Sequence, residues 1–289
     1  MNWNAPEILA IIRSAIREDD ARTDTTTHLM IQPSWRVEAS VVAKQAGVVA
    51  GLPLAQKILK TLDTSIRFKP IISEGASVRS GQRIAIIRGK AGSVLSGERP
   101  MLNALQHLSG IATFAHAQVK KLSGTRVKLY DTRKTLPGWR LLQKYAVRCG
   151  GAENHRMSLG DEVMIKENHL KIARLVGSDW FNRVRQSMKK RPSLLIQMEI
   201  QTEQDLQDAL RLKPPRVLLD NLSNQTLKRM MRILRKAIPD IQIELTGGVR
   251  PETLRSLAKL GPDRISMGRL THSVPVFDCS LDITRVYPR

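Results

Sequence analysis

The stretch YDTRKTLPGWR, residues 130–140, sets Asp131, Arg133, Lys134 and Arg140 around a threonine, a proline and a glycine. Val127, Leu129 and Tyr130 before it read as the end of a strand, and a helix is expected after it. Adjacent cations at a strand end repel each other unless something anionic lies between them. His155, Arg156 and Lys166 follow in the next segments. Arginine forks match carboxylates and phosphates in two-point geometry, while lysine supplies a mobile point charge. Each group alone reads as a surface ion pair. Five gathered at corresponding strand ends predict a polyanion pocket, because their convergence is costly without a neutralising ligand.

Two acidic residues complete the pattern. Glu199 and Asp220 each close an apolar segment, LLIQME and RVLLD, where an unpaired carboxylate would be expensive. One reading gives them a lysine partner. The other gives them hydrated magnesium, held by one or two carboxylates together with substrate phosphates. Further along, IELTGGVRPETLRSL (243–257) puts Thr246, Gly247 and Gly248 at a strand end before a helix opened by Pro251. RISMGRLTHS (264–273) repeats the arrangement with Gly268 and Thr271. Glycines let backbone N–H groups close on a phosphate.

The elements that must position these residues change rhythm near residue 125. Strands are expected at 126–130, 162–165, 194–200, 216–220, 241–246 and 264–267. Helices fit between them at 137–148, 168–189, 202–212, 223–237 and 251–260. Short apolar strands alternating with helices indicate parallel βαβ units. Chemistry spread over the C-terminal ends of successive strands favours a TIM-like barrel, incomplete with six strands, over a doubly wound sheet with one switch point. The first hundred residues are mixed. An N-terminal helix precedes β-rich stretches at 35–51 and 66–89 and a long helix at 97–124, expected to break or bend at Ser109-Gly110.

Composition narrows the field. The chain has 289 residues, 42% hydrophobic and 25% charged, enough for one large or two medium globular domains. The N-terminal segment carries helical spacing interrupted by Arg13 rather than a signal sequence, and no apolar run approaches the ~18 residues of a membrane span. Cys149 and Cys279 sit in no metal-ligand spacing and read as inert thiols of a reduced cytoplasm. The excess of 47 Lys+Arg over 26 Asp+Glu gives a net charge of +21, which attracts polyanions in general. Much of it lies in NRVRQSMKKR (182–191) and LKRMMRILRKA (227–237). In the second run Leu227, Met230, Met231 and Leu234 make an apolar face, and the cations read as a solvated one. Aromatic residues are only 4% and do not interleave with the basic runs, so a stacking platform for single strands is not expected and nucleic acid is not required.

The motifs DTRKTLPGWRLLQKYAVRCGGAENHR, MIKENH, LLDN, TGGV, MGRLTHS and GERPMLNALQHLSGIAT resemble those of the quinolinate phosphoribosyltransferases, over roughly residues 18 to 284. The resemblance implies an N-terminal α/β sandwich domain, residues 1–112 with the tail 274–289, joined to an open six- or seven-stranded α/β barrel, residues 113–273. It implies transfer of 5-phosphoribosyl from phosphoribosyl pyrophosphate to quinolinate with decarboxylation, giving nicotinate mononucleotide, pyrophosphate and carbon dioxide, with Mg2+ as cofactor. By motif, Arg133, His155, Arg156 and Lys166 would hold the quinolinate carboxylates, and Lys134 would lie between quinolinate and pyrophosphate. Glu199 and Asp220 would sit at the metal and the ribose hydroxyls. Thr246, Gly247, Gly248, Gly268 and His272 would surround the 5-phosphate. Lys134, Lys166, Glu199 and Asp220 are the expected catalytic set. Arg99 would act across the interface of a homodimer or a hexamer of dimers, in the cytoplasm.

Four positions depart from the family pattern. Thr246 stands where serine is commoner, Arg269 replaces a small residue, Gln197 stands where a second acid is frequent, and TDTTT lacks a glycine before its aspartate. Three rivals are weighed against the resemblance. A paralogue associated with molybdenum transport should lose several of these cations, whereas DTRKT and NHR are complete here. A Schiff-base aldolase would use Lys166 as nucleophile, and nucleic-acid binding would exploit the net charge.

Overall fold

The computed structural model describes residues 1–288. They form two compact units, the first made of Met1–Ala117, Thr135–Gly151 and the chain from Leu270 onward, the second of Gln118–Lys134 and Ala152–Arg269.

In the first unit, α1 (Pro6–Glu18) starts on a proline, whose fixed φ suits a first turn, and buries Ile8, Ile12 and Ile16 along one stripe. The short α2 (Thr25–Met30) is capped by Asp24, whose carboxylate accepts the Thr27 N–H, so the TDTTT motif is a helix start. Strand β1 (Arg36–Ala43) is followed by β2 (Gly47–Val48), α3 (Leu52–Leu62), β3 (Arg67–Pro70), β4 (Ser77–Val78), β5 (Arg83–Lys90) and α4 (Ala91–Ser96). The main sheet is antiparallel, with the C-terminal strand Cys279–Tyr287 beside β1, then β5 and β3. Ala39, Val41 and Ala43 alternate into its core against Ile84 and Ile87 of β5.

The long helix α5 (Glu98–Lys121) runs through Ser109 and Gly110 without a break, contrary to the expected interruption. Ser109 turns its hydroxyl to Ala50, donating to the carbonyl and accepting the N–H, instead of competing with its own helix. Gly110 is needed for proximity: a Cβ there would strike the Pro275 carbonyl of the returning tail. Helix α6 (Arg140–Cys149) is tied down by Glu74, whose carboxylate takes the Tyr145 hydroxyl and also caps α3 by accepting from Gly51 and Leu52 N–H.

The second unit holds the parallel sheet. Strands β6 (Lys128–Tyr130), β7 (Val163–Ile165), β8 (Ile196–Ile200), β9 (Arg216–Asp220), β10 (Gln242–Thr246) and β11 (Arg264–Ser266) pair in the order β6-β11-β10-β9-β8-β7. Five of these neighbours in space are thus also neighbours in sequence or, for β6 and β11, first and last. That is a barrel wound once around and left open between β6 and β7. The segment after Gly151 lines the open edge: Glu153 bridges Tyr130 in parallel, its N–H reaching the Leu129 carbonyl at 2.8 Å and its carbonyl taking the Asp131 N–H at 3.0 Å.

Helices α7 (Glu167–Leu175) and α8 (Trp180–Lys190) fill the region expected as one helix over 168–189. The chain breaks at Gly177, with φ +61°, a conformation glycine adopts without strain. Beyond them, α9 (Glu203–Leu212) carries a capping box between Thr202 and Asp205. Helix α10 (Asn224–Ala237) buries Leu227, Met230, Met231 and Leu234, the apolar face read from its sequence. Finally, α11 (Leu254–Ala258) is shorter than expected.

Candidate active site

Side chains alternate in and out along a strand, so residues two apart share a face. In four strands of this barrel one face carries the polar residues: Gln197 and Glu199 on β8, Arg216 and Asp220 on β9, Gln242, Glu244 and Thr246 on β10, Arg264 and Ser266 on β11. Their mutual contacts show that this face is the interior. Gln197 donates to Glu162 Oε2 at 2.7 Å, Arg216 reaches the same oxygen at 3.6 Å, and Arg216 also donates to Gln242 Oε1 at 3.0 Å. Arg264 stacks over the Tyr130 ring at 4.1 Å and reaches Glu244 Oε2 at 3.7 Å. The interior is a network of charges where a TIM-type barrel commonly packs branched aliphatics.

At the C-terminal ends of the strands this network meets the residues singled out from the sequence. Lys166 follows β7 directly, and its Nζ lies 3.4 Å from Glu199 Oε2. The lysine partner weighed from sequence is therefore real for Glu199. Glu199 and Asp220 come together as expected of neighbouring strands: the Gln201 side-chain amide donates to both, at 2.9 Å and 2.8 Å. Sequence reasoning missed Gln201, because its second partner, Asp220, lies on another strand. Among the described residues no cluster of three or more His, Cys, Asp or Glu side chains could hold a metal. A carboxylate pair is the donor set of a cation that keeps several waters and takes further oxygens from a bound phosphate, so the residues present fit hydrated magnesium. Gln197, standing where a second acid was looked for, is fully buried and bound to Glu162.

Beside Asp220, Asn221 meets the glycine loop. Asn221 adopts φ +55°, donates its N–H to the Thr246 carbonyl at 3.3 Å, and lies against Gly247. A Cβ on Gly247 would come within 2.5 Å of Asp220 Oδ1 and 2.6 Å of the Asn221 nitrogen, and φ there is +76°. Gly248 has φ +56° with only Asn221 Oδ1 close, at 3.3 Å. The two glycines therefore permit a tight turn of backbone over the end of β9. Gly268 follows β11, and Arg269 is exposed to solvent.

The cations occupy the open edge. Arg133 is half-buried and Lys134 exposed beyond β6, with the Lys134 N–H on the Thr132 hydroxyl at 3.1 Å. His155 and Arg156 are buried on the segment that lines β6. Asp131 holds that segment by accepting the His155 N–H at 2.8 Å, a role the sequence gave no direct signal for. Arg156 donates from Nη1 to the Glu162 carbonyl at 2.7 Å. Burial, and then the positive charge of Arg133, lower the pKa of the Arg156 guanidinium. The structure thus brings Arg133 near Arg156, joins Lys166 to the Glu199–Asp220 pair, and sets Thr246, Gly247 and Gly248 beside Asp220. Arg99, at the start of α5, and His272, in the turn Arg269–His272, belong to the first unit.

Comparison with known proteins gives this site its family. The N-terminal domain of quinolinate phosphoribosyl transferase matches residues 24–109, and the C-terminal domain matches residues 111–282. A probable carboxylating nicotinate-nucleotide pyrophosphorylase of Synechocystis is 37% identical over 271 residues, covering 93% of this chain and 90% of the relative. Its counterpart in Bacillus subtilis is 35% identical over 266 residues, covering 92% and 90%. The NadC crystal structure from Streptococcus pyogenes superposes with a TM-score of 0.86 at 32% identity, covering 97% of this chain and 96% of that one. With both domain matches in sequence order and relatives aligned almost end to end, the chain belongs to the quinolinate phosphoribosyl transferase family.

Proposed function

We propose that this protein transfers the 5-phosphoribosyl group of phosphoribosyl pyrophosphate to quinolinate and decarboxylates the product to nicotinate mononucleotide, the carboxylating nicotinate-nucleotide pyrophosphorylase reaction of de novo NAD biosynthesis. What supports the reading is a pair of cations, Arg133 and Arg156, at the open edge of the barrel and a cluster of Lys166, Glu199 and Asp220 at the ends of β7, β8 and β9 of the same barrel. A pyridine dianion and a multiply charged sugar donor are the ligands such a collection of cations suits.

In this reading Arg133, Arg156 and Lys166 bind the quinolinate carboxylates, with His155 buried beside them. Lys134 stands between quinolinate and the pyrophosphate. Thr246, Gly247, Gly248, Gly268 and His272 receive the 5-phosphate, and Glu199 and Asp220 take the ribose hydroxyls. The same two carboxylates would hold magnesium, which when bound supplies charge neutralisation at the pyrophosphate. The pyridine nitrogen already carries its lone pair, so no general base is assigned. As its bond to ribose C1 forms, the C1–oxygen bond to pyrophosphate breaks, and Lys134 and Lys166 stabilise the departing charge. The quaternised ring then draws in the electron pair of the breaking bond to the 2-carboxylate, carbon dioxide leaves, and the C2 carbanion takes a proton from water. The protein contributes alignment and a preorganised field rather than a covalent nucleophile.

Arg99 is assigned to the neighbouring subunit's site, which makes a homodimer the least working assembly. The half-buried Cys149 and buried Cys279 thiols, both pushed up in pKa, suit a reducing cytoplasm, and among the described residues no helix is long and apolar enough to cross a membrane. The test is release of carbon dioxide from quinolinate with phosphoribosyl pyrophosphate and magnesium, with nicotinate as competing acceptor. Stoichiometric carbon dioxide and nicotinate mononucleotide are expected. Turnover of nicotinate instead, without carbon dioxide, would refute the assignment.

A further inference from the structure

We propose that Glu244 is a positioning residue of this site, acting through the imidazole of His155 on the backbone of Arg156. The inference deepens the carboxylate-binding role given above to Arg156 and rests on that reading. Glu244 is fully buried on the inner face of β10, away from the strand ends where the glycine loop and the acidic pair lie. A carboxylate in such a place is costly and touches nothing at the barrel mouth directly. Its contacts are internal. Ser266 donates its hydroxyl to Oε1, His155 Nε2 lies 3.4 Å from the same oxygen, and Arg264 Nη1 lies 3.7 Å from Oε2.

The other side of the imidazole fixes its chemistry. His155 Nδ1 accepts the Arg156 backbone N–H at 2.8 Å. An N–H donor at Nδ1 requires a lone pair there, so the ring proton belongs on Nε2, facing Glu244. The ring is held between a carboxylate on one nitrogen and a peptide N–H on the other, with the Tyr130 ring edge-on at 6.5 Å. The backbone N–H of His155 is itself pinned to Asp131. Glu244 thereby sets the ring, the ring sets the peptide before Arg156, and Arg156 extends from that peptide to the Glu162 carbonyl near the charge of Arg133. Burial pushes the Glu244 carboxyl up, while His155, Ser266 and Arg264 around it act to lower it, and the net direction is down. Glu244 is the charged side chain placed against the ring, with Arg264 on its other oxygen, while Asp131 and Arg156 meet His155 through backbone N–H groups. In this arrangement His155 contributes direction.

The test combines spectroscopy with kinetics. Imidazole nitrogen–proton correlation spectra of histidine-labelled protein, with His155 assigned by its loss in His155→Asn, are recorded at neutral pH with and without quinolinate and without the sugar donor. The Nε2–H tautomer is expected in both states. Glu244→Gln keeps the shape and removes the charge, and losing one charge-assisted orienting contact should raise the KM for quinolinate about tenfold. The KM for phosphoribosyl pyrophosphate should stay within about twofold, a split that general loosening of the fold would not produce. His155→Asn, which retains an acceptor for the Arg156 N–H, should keep more activity than His155→Ala. An Nδ1–H tautomer, a doubly protonated ring on addition of quinolinate, or an unchanged quinolinate KM in Glu244→Gln would each overturn the proposal. Should Glu244→Gln not fold, the wild-type spectrum and the same kinetic split in Ser266→Ala decide it. If wild-type protein releases no carbon dioxide, the functional reading fails, whereas the tautomer is still judged by the spectrum.

Discussion

Substituting Gly247 by alanine tests whether the turn over the end of β9 shapes the site, and its cost can be worked from the structure. Three alanine substitutions separate the contributions. Gly261 has φ +79° with nothing within 4 Å of its built Cβ, so Gly261→Ala carries backbone strain alone. Left-handed backbone costs a non-glycine residue roughly 1–2 kcal/mol, offset by about 0.4–1 kcal/mol from restricting the unfolded chain. The net is about 1 kcal/mol. Gly248→Ala adds one contact at 3.3 Å to the end of the Asn221 side chain, which can move aside. Gly247→Ala meets Asp220 Oδ1 at 2.5 Å and the Asn221 backbone nitrogen at 2.6 Å, and backbone cannot step aside alone. Forcing an added methyl into a filled space costs typically about 1–3 kcal/mol, which brings the total to about 2–4 kcal/mol. At about 2–4 °C per kcal/mol for domains of this size, Gly261→Ala should lower Tm by only a few degrees and Gly247→Ala by up to about 15 °C. The displaced atoms are Asp220 and the loop assigned to the 5-phosphate, so kcat/KM for phosphoribosyl pyrophosphate should fall by about a hundredfold or more in Gly247→Ala, as for the loss of two positioned charged contacts. Gly261→Ala should match wild type. Thermal unfolding and steady-state kinetics on the three proteins suffice. Equal effects of Gly247→Ala and Gly261→Ala on both readouts would show that the close approach to Asp220 and Asn221 has no consequence.

Arg133→Ala should raise the quinolinate KM by about tenfold to a hundredfold with little change in Tm, since it removes one charge-assisted contact from a half-buried position; near-normal saturation by quinolinate would contradict its role. Mixing inactive Arg99→Ala with inactive Lys166→Ala protein should restore part of the activity through hybrid sites, and no recovery after proven subunit exchange would remove Arg99 from its neighbour's pocket. Chelation should abolish turnover reversibly. Gln201→Leu, which deletes the amide between Glu199 and Asp220, should raise the magnesium needed for half-maximal rate several-fold, and an unchanged requirement would exclude these carboxylates as its holders. Burial, with Glu74 nearby, pushes the Cys149 thiol up to about 11, and burial pushes Cys279 up to about 12. Iodoacetamide should therefore modify neither at pH 7.5 in folded protein, and rapid alkylation there would show that one of them is an activated thiolate.

The strands of the barrel and the chemistry at their ends were legible because apolar runs and the polar residues that close them are local signals. RVLLD is found as Arg216–Asp220 without adjustment. The interruption expected at Ser109-Gly110 was a local inference overruled by tertiary packing: the glycine makes room for the Pro275 carbonyl, and the serine hydroxyl is spent on Ala50. Gly177 shows the reverse, a breaker that does end a helix but was passed over within a segment read as one helix, 168–189. The polar interior was written in the sequence with period two, as Gln197 and Glu199, or Gln242, Glu244 and Thr246. Reading those strands as continuously apolar hid it. Gln201, Asp131 and Glu244 were out of reach for another reason. Each acts on a partner distant in sequence, Asp220, His155 or Arg264, and no spacing rule connects such pairs before the strands are ordered.

That ordering also bears on the charge of the whole chain. The +21 excess does not arise from the barrel interior, where Arg216 and Arg264 are each matched by Glu162 or Glu244. On the outside, Arg229 of α10 pairs with Glu203 of α9, and Arg235 bonds the Gly261 carbonyl at 2.8 Å and meets Asp263 at 3.4 Å. Even on the most basic helix, then, some of the cations are spent fastening one βαβ unit to the next, as expected of a solvated helix face whose apolar stripe is buried. Arg133 and Arg156 differ from these. After burial, the positive charge of Arg133 lowers the pKa of Arg156, while the Glu162 and Asp161 carboxylates act the other way. Two guanidiniums close together at the open edge of the barrel suit a ligand whose negative charge both can share.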